Sequence, residues 1–175
     1  MSAAPYRIGV DIGGTFTDFV LLDDRDGSLR NGKLLTTPHA PEEAVLAGIR
    51  QMLVQGGGGA VVLTGSITAL VGSAFHNPAY TASKGGLHAF ARALAAQYAP
   101  QNIRVNVVAP GALETPPDSE EIDLAAREKR LIPKIPMGRV GRFEEIAPVV
   151  AFLASEEASY CTVAVVVVDG GFTIV

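Results

Sequence analysis

The sequence predicts an α/β fold: a partial parallel sheet with flanking helices, preceded by an N-terminal β-meander and a further helix. Three observations carry this. Aliphatic runs recur at 60–63, 104–108 and 164–168 without apolar–polar alternation, so each reads as a strand buried on both faces. Helical patterns separate those runs, and alternating strands and helices are the rhythm of parallel architecture. Before them, short apolar runs are joined by glycine-bearing turns, which is the pattern of an antiparallel meander.

Taken in order, 6–10 is a strand, 11–15 a tight turn, 16–22 a second strand, 23–27 a polar turn and 32–36 a third strand. Pro41, Glu42 and Glu43 then open a helix, because proline suits the first turn and acids suit the positive end of the dipole. Its apolar face is expected from Ala44, Leu46, Ile49 and Leu53. Four glycines, Gly56 to Gly59, precede the strand 60–63. A phosphate-binding glycine cluster follows its strand, so this run reads as a turn entering one. An alanine-rich helix spans 80–98, Asn102 ends it, and Pro110 with Gly111 stops the strand 104–108. An exposed helix is expected within 119–130 and another helix over 143–155, opened by Glu144 and Glu145. The last strand closes on Asp169, Gly170 and Gly171.

The 175 residues suffice for one ordinary domain, or a domain with a small appendage. A net charge of −4 with no basic stripe argues against nucleic acid or an anionic membrane as partner. The single cysteine, Cys161, forms no internal disulfide, suits a reducing compartment and reads as a small buried residue. The first residues lack an apolar core of signal-peptide length, and the run 163–168 is too short to span a bilayer. A soluble cytoplasmic protein is expected. His39, His76 and His88 have no ligand spacing, so no metal site is expected. The mixed charges of 120–130 read as a solvated helix face.

Tyr80 and Lys84 stand four apart at the start of a helix, which puts both on one face. A neighbouring ammonium favours phenolate, and the helix N-terminus adds positive potential. Such a tyrosine can give a proton to a carbonyl oxygen or take one from an alcohol. Ser66, after the preceding strand, can bond the same oxygen and hold its developing charge. Alone, Tyr-x-x-x-Lys is a weak signal, most often a helix-surface pair; here Ser66 precedes it, and Asn106 and Pro110-Gly111 follow.

The stretches VVLTGSITALVG, YTASKGGLHAFARALA, IRVNVVAPGALETP, GRVGRFEEIAPVVAFLASEEASYCT and VVVVDGG, in that order over about 56–175, closely resemble the short-chain dehydrogenase/reductase family. The resemblance implies a Rossmann-like sheet and reversible hydride transfer between NAD or NADP and a small-molecule alcohol or carbonyl. By resemblance Ser66, Tyr80 and Lys84 are the catalytic residues. Tyr80, Lys84, Pro110, Gly111 and Thr115 are the cofactor-binding ones, with Lys84 on the nicotinamide ribose. The helix from Tyr80 to Tyr98 is apolar on most sides, which asks for burial on both faces. The family likewise forms dimers and tetramers, so a homo-oligomer through this helix is expected. The resemblance also makes 120–130 a cover over the substrate.

The chain departs from the family pattern in four places. The Ser66–Tyr80 gap is one residue longer than the commonest spacing. Val163 stands where a glycine is usual, which is costly if the position needs positive φ. The dinucleotide half (Thr-Gly-x-x-x-Gly-x-Gly, the ribose selector, Asn-Asn-Ala-Gly) has no match, and neither does the helix asparagine of the proton relay. Impaired cofactor binding and activity are therefore expected.

RIGVDIGGTFTDFVLLD is a second signature. The N–H groups of Gly13, Gly14 and Thr15 can wrap anionic oxygens, and Asp11 and Asp18 can hold a hydrated Mg²⁺ beside them. The bland reading is a hairpin whose glycines only permit the turn. From Tyr6 through PHAPEEAVLAGI the wording resembles the N-terminal segment of the hydantoinase/oxoprolinase A family, where this hairpin is a first phosphate loop of an actin-like ATPase. It does not replace a dinucleotide loop, since FVLLDD continues as strand where a helix would be needed. The expected organisation is 1–54 of hydantoinase A type and 55–175 as a dehydrogenase catalytic half, with the seam near 50–55. The rival expectations are an ATP- or phosphate-binding fragment of a hydantoinase/oxoprolinase-type hydrolase, and a non-catalytic chimera.

Overall fold

The computed structural model describes residues 6–12, 16–23, 28–35, 40, 42–72, 77–115 and 124–174, the first three strands by their backbone. Three strands open the chain: β1 (Tyr6–Ile12), β2 (Phe16–Asp23) and β3 (Ser28–Leu35). They form the expected antiparallel meander, with Gly9 opposite Val20 and Phe19 opposite Gly32. The third strand starts earlier than the sequence suggested, because it pairs along the whole of β2.

Helix α1 (Glu43–Gln55) leads to β4 (Gly59–Thr64). After a 3₁₀ turn at Ile67–Ala69 comes α2 (Pro78–Tyr98), then β5 (Ile103–Pro110), α3 (Leu124–Leu131), α4 (Ala147–Ala154) and β6 (Val165–Val168). All six strands share one sheet in the order β3-β2-β1-β4-β5-β6. Strand β1 pairs parallel with β4, β4 with β5, and β5 with β6. The meander is therefore continuous with the parallel part of the sheet.

Burial on both faces explains the unalternating runs. Because successive strand residues point to opposite faces, Val61, Leu63, Val105 and Val107 meet α1 and α2, in a core with Ile49, Met52, Leu94 and Ala95. Val62 and Val108 face the other way, against Leu153 of α4. Residues Val45, Ile49 and Met52 form the buried stripe of α1, each 1% exposed. The expected face is corrected here. Leu53 is 40% exposed, Leu46 is only partly buried, and the side chain of Ala44 lies outside the described residues. The stripe follows 45, 49 and 52, the i, i+4, i+7 spacing of one helix face.

The glycine run is the α1–β4 turn. Gly56, Gly57 and Gly58 have φ of 71°, 90° and 91°, which side-chain-bearing residues rarely adopt. Asn102, itself left-handed at φ 60°, holds this turn: Gly59 N donates to its carbonyl (3.0 Å), and its Nδ2 donates to Gly57 O (3.3 Å). A Cβ at Gly58 would meet that carbonyl at 2.3 Å. The expected helix 143–155 is broken into a 3₁₀ turn at Phe143–Glu145 and then α4, whose first turn carries Pro148. Proline lacks the N–H that a continuous helix would need there.

Candidate active site

The parallel strands end together, and the ends of β4 and β5 supply the floor of a cavity of about 490 Å³. Ligands of open α/β sheets sit at the carboxyl ends of strands. The lining includes Ser66, Tyr80, Lys84, Pro110 and Gly111, so five of the predicted residues meet in one place. Thr115 is not in the lining; its hydroxyl accepts from Arg127 Nη1 at 3.3 Å.

Helix α2 presents the tyrosine and lysine. Asn77 caps it, Oδ1 accepting from Ala79 N at 2.8 Å, and Pro78 occupies the first position. Tyr80 thus sits in the first turn, where the helix dipole is positive. Lys84 Nζ lies 5.8 Å from the Tyr80 ring centroid and donates to Thr64 O at 3.0 Å. That bond ties the ammonium to the end of β4, beside Ser66.

Ser66 is extended (φ −164°) and buried, 7% exposed. Its Oγ accepts from Thr68 N (3.2 Å) and Thr68 Oγ1 (3.0 Å). A serine hydroxyl has two acceptor positions and one hydrogen. With both acceptor positions used, the O–H is left to donate, and a carbonyl or alkoxide oxygen in the cavity is a fitting acceptor.

Close backbone packing shapes the rest. A Cβ at Gly111 would meet Asp169 Cβ at 2.6 Å, and Gly111 N donates to Val168 O at 2.9 Å. A Cβ at Gly65 would meet His88 Nε2 at 2.4 Å and Val107 Cγ1 at 2.6 Å. His88 is buried, and among the described residues its Nε2 has no hydrogen-bond partner. Burial, with Arg92 and Lys84 close by, lowers its pKa below the ordinary 6.5. Asn106, wholly buried, donates to Cys161 O (2.9 Å) and accepts from Ala164 N (3.0 Å), tying β5 to the approach of β6. Cys161 is half-buried, which corrects the expected burial.

The lining residues not singled out in the sequence include Thr68, Glu114, Arg127 and Arg130. The i, i+3 spacing of the two arginines was the available signal for that pair. In the first hairpin, Asp11 and Asp18 are register partners, while Gly13, Gly14 and Thr15 lie outside the described residues. His39 and His76 lie outside them too. No helix among the described residues is long and apolar enough to cross a membrane.

Comparison with known proteins finds both signatures, in matches that overlap over residues 44–74. A family model described as enoyl-(acyl carrier protein) reductase matches residues 44–173, and one described as the hydantoinase/oxoprolinase N-terminal region matches 7–74. An L-rhamnose 1-dehydrogenase (NAD(P)(+)) of Azotobacter vinelandii is 39% identical over 127 residues, covering 73% of this chain and 49% of the relative. The 3-oxoacyl-[acyl-carrier-protein] reductase of Thermotoga maritima is 44% identical over 119 residues, 66% of this chain and 46% of the relative. Among solved structures, a candidate 2-deoxy-D-gluconate 3-dehydrogenase of Agrobacterium tumefaciens with bound NADP superposes with a TM-score of 0.69 and 36% identity. That match covers 75% of this chain and 53% of the other. The chain spans about half the length of the curated relatives it matches. With the strand order, the cavity and these likenesses together, the chain belongs, over residues 44–173, to the short-chain dehydrogenase/reductase family.

Proposed function

We propose that this chain carries the catalytic side of an NAD(P)-dependent oxidoreductase acting on a small-molecule alcohol or carbonyl. The observation that supports it best is the single cavity where Ser66, Tyr80 and Lys84 converge from two chain segments. In this reading Ser66 donates its free hydrogen to the substrate oxygen, and Tyr80 exchanges a proton with that oxygen. Lys84 stands beside that tyrosine, its Nζ 5.8 Å from the ring centroid. Pro110, Gly111 and Lys84, which line the cavity beside the pair, would hold the nicotinamide end of the cofactor, Lys84 at its ribose. When bound, that group supplies or accepts the hydride.

The fit is to the nicotinamide end only. Among the described residues no glycine turn runs from a strand directly into a helix N-terminus, where a pyrophosphate would rest. Residues 1–54 and 55–175 therefore act unequally in this proposal: the first segment completes the sheet and the second carries the chemistry. Weak NAD(P)H affinity and slow turnover follow for the 175-residue chain. The reading includes self-association along α2, whose outward positions Gly86, Ala89 and Ala93 are small and exposed, and a reducing, cytoplasmic setting for Cys161.

The test is titration with NADH and NADPH followed by reduced-nicotinamide fluorescence, then oxidation of the cofactor with a carbonyl panel. Tyr80→Phe is expected to lower kcat by about 10²–10⁴-fold, the usual contribution of a general acid. Turnover unchanged in Tyr80→Phe would remove the assignment, and tight binding dependent on Lys84 would refute the impairment.

A further inference from the structure

Helix α3 and the segment after β5 line the same cavity as Ser66, Tyr80 and Lys84. Arg127 and Arg130, three apart on α3, both line the cavity. Among the described lining residues Lys84, Arg127 and Arg130 are cations and Glu114 is a carboxylate, its Oε1 accepting from Phe143 N at 3.2 Å. The chain carries a net charge of −4, whereas the described lining of this cavity is cationic on balance. A cleft lined by one sign of charge concentrates ligands of the other.

Arg127 is held in a way that suits a ligand. Its Nη2 donates to Leu113 O at 2.9 Å and its Nη1 to Thr115 Oγ1 at 3.3 Å, both neutral acceptors. Among the described residues no carboxylate pairs with it. Two bonds fix the guanidinium plane and leave further N–H donors of its fork, the arrangement that recognises a carboxylate or phosphate.

We propose that the substrate carries an anionic group, received by Arg127 with Arg130 beside it, while Ser66 and Tyr80 address its carbonyl or alcohol oxygen. The class is an oxo or hydroxy acid; a phosphorylated carbonyl compound shares the recognition chemistry. The proposal rests on the reading of this cavity as the substrate site, and it adds the charge of the substrate to that reading.

The test uses the 175-residue chain and matched probes: acetoacetate, its methyl ester, and 2-oxopropylphosphonate. Binding is measured by saturation-transfer NMR, with and without NADP, so no turnover is needed. Acetoacetate is expected to bind about tenfold or more tightly than the ester, as charge-assisted hydrogen bonds of this kind produce. Arg127→Leu should abolish that preference, and Arg127→Lys should keep part of it. A stronger preference for the phosphonate assigns the phosphorylated class, and a stronger one for acetoacetate the oxo acids. Equal binding of acid and ester by the unaltered protein overturns the proposal, whether or not any variant folds. So does an Arg127→Leu change that weakens NADP alone. If hydride transfer fails while Arg127-dependent anion binding persists, the anion subsite stands and the oxidoreductase reading falls.

Discussion

Single residues carry the sharpest expectations, and Val163 is the plainest. Its φ is +66°, in the left-handed region that favours glycine, the residue the family resemblance leads one to expect there. The departure was visible in the sequence, and its cost follows from sterics. Val163→Gly is expected to stabilise the protein by about 1 kcal/mol, after the greater unfolded-state freedom of glycine is deducted. Thermal unfolding should show a Tm higher by about 2–4 °C. At the Gly65–His88 contact the sign is opposite: Gly65→Ala forces a methyl onto Nε2 and Val107, and about 1–3 kcal/mol of stability should be lost, read as a lower urea midpoint. His88 also sets a pH dependence. Its folded-state pKa lies below 6.5, so at slightly acid pH the unfolded chain binds more protons. The contribution is full above 6.5 and is lost as pH falls from there toward the folded-state value. Urea midpoints measured over that window should fall in the unaltered protein, and His88→Leu should remove that part of the slope. The sequence showed His88 only as one of three scattered histidines, because its burial depends on the bare Cα of Gly65, a contact 23 positions away that no local pattern records.

Elements were more legible than their faces and their ends. Unalternating valine runs identified the parallel strands because both faces of the sheet are covered. The face of α1 was misread because Val45 and Met52 are as apolar as Leu46 and Leu53, and only the approach of the sheet decides between the two stripes. The end of α4 depends on a distant residue in the same manner. Arg104 of β5 donates Nη1 to Leu153 O (2.9 Å) and Cys161 O (3.2 Å), and Nη2 to Ser155 O (3.0 Å). Terminal helix carbonyls lack partners within the helix, and a guanidinium suits the negative end of the dipole. Partial burial disfavours the charged form and lowers the pKa of Arg104, although Glu156 and Cys161 oppose this. Arg104→Met is expected to cost about 2 kcal/mol, the scale of hydrogen bonds from a charged donor, and to increase amide exchange at the end of α4. In the cavity, Ser66, Tyr80 and Lys84 were readable from their spacing and from the family they resemble. The resemblance put 120–130 over the substrate but did not single out Arg127, since a mixed-charge helix looks alike whether it faces water or a cleft.

At the scale of the molecule, the decisive feature is the parallel pairing of β1 with β4, which puts strands from both family resemblances into one sheet. Sequence pattern located the strands but held no information on this pairing, because each strand is equally apolar toward any neighbour. Without the meander, β4 would be an uncovered edge of near-continuous valine and leucine, a template for aggregation. A chain starting at residue 40 is therefore expected to aggregate at concentrations where the full 175 residues stay dispersed, as light scattering would show. The same pairing orders events in time. The meander joins neighbours in sequence, and hairpins of this kind form within about 1–10 μs. Every parallel ladder instead joins strands separated by a helix or more, and such non-local closures are the slow steps of folding. The first three strands are then the early template, and the cavity at the carboxyl ends of β4 and β5 is assembled last, after β1 has captured β4.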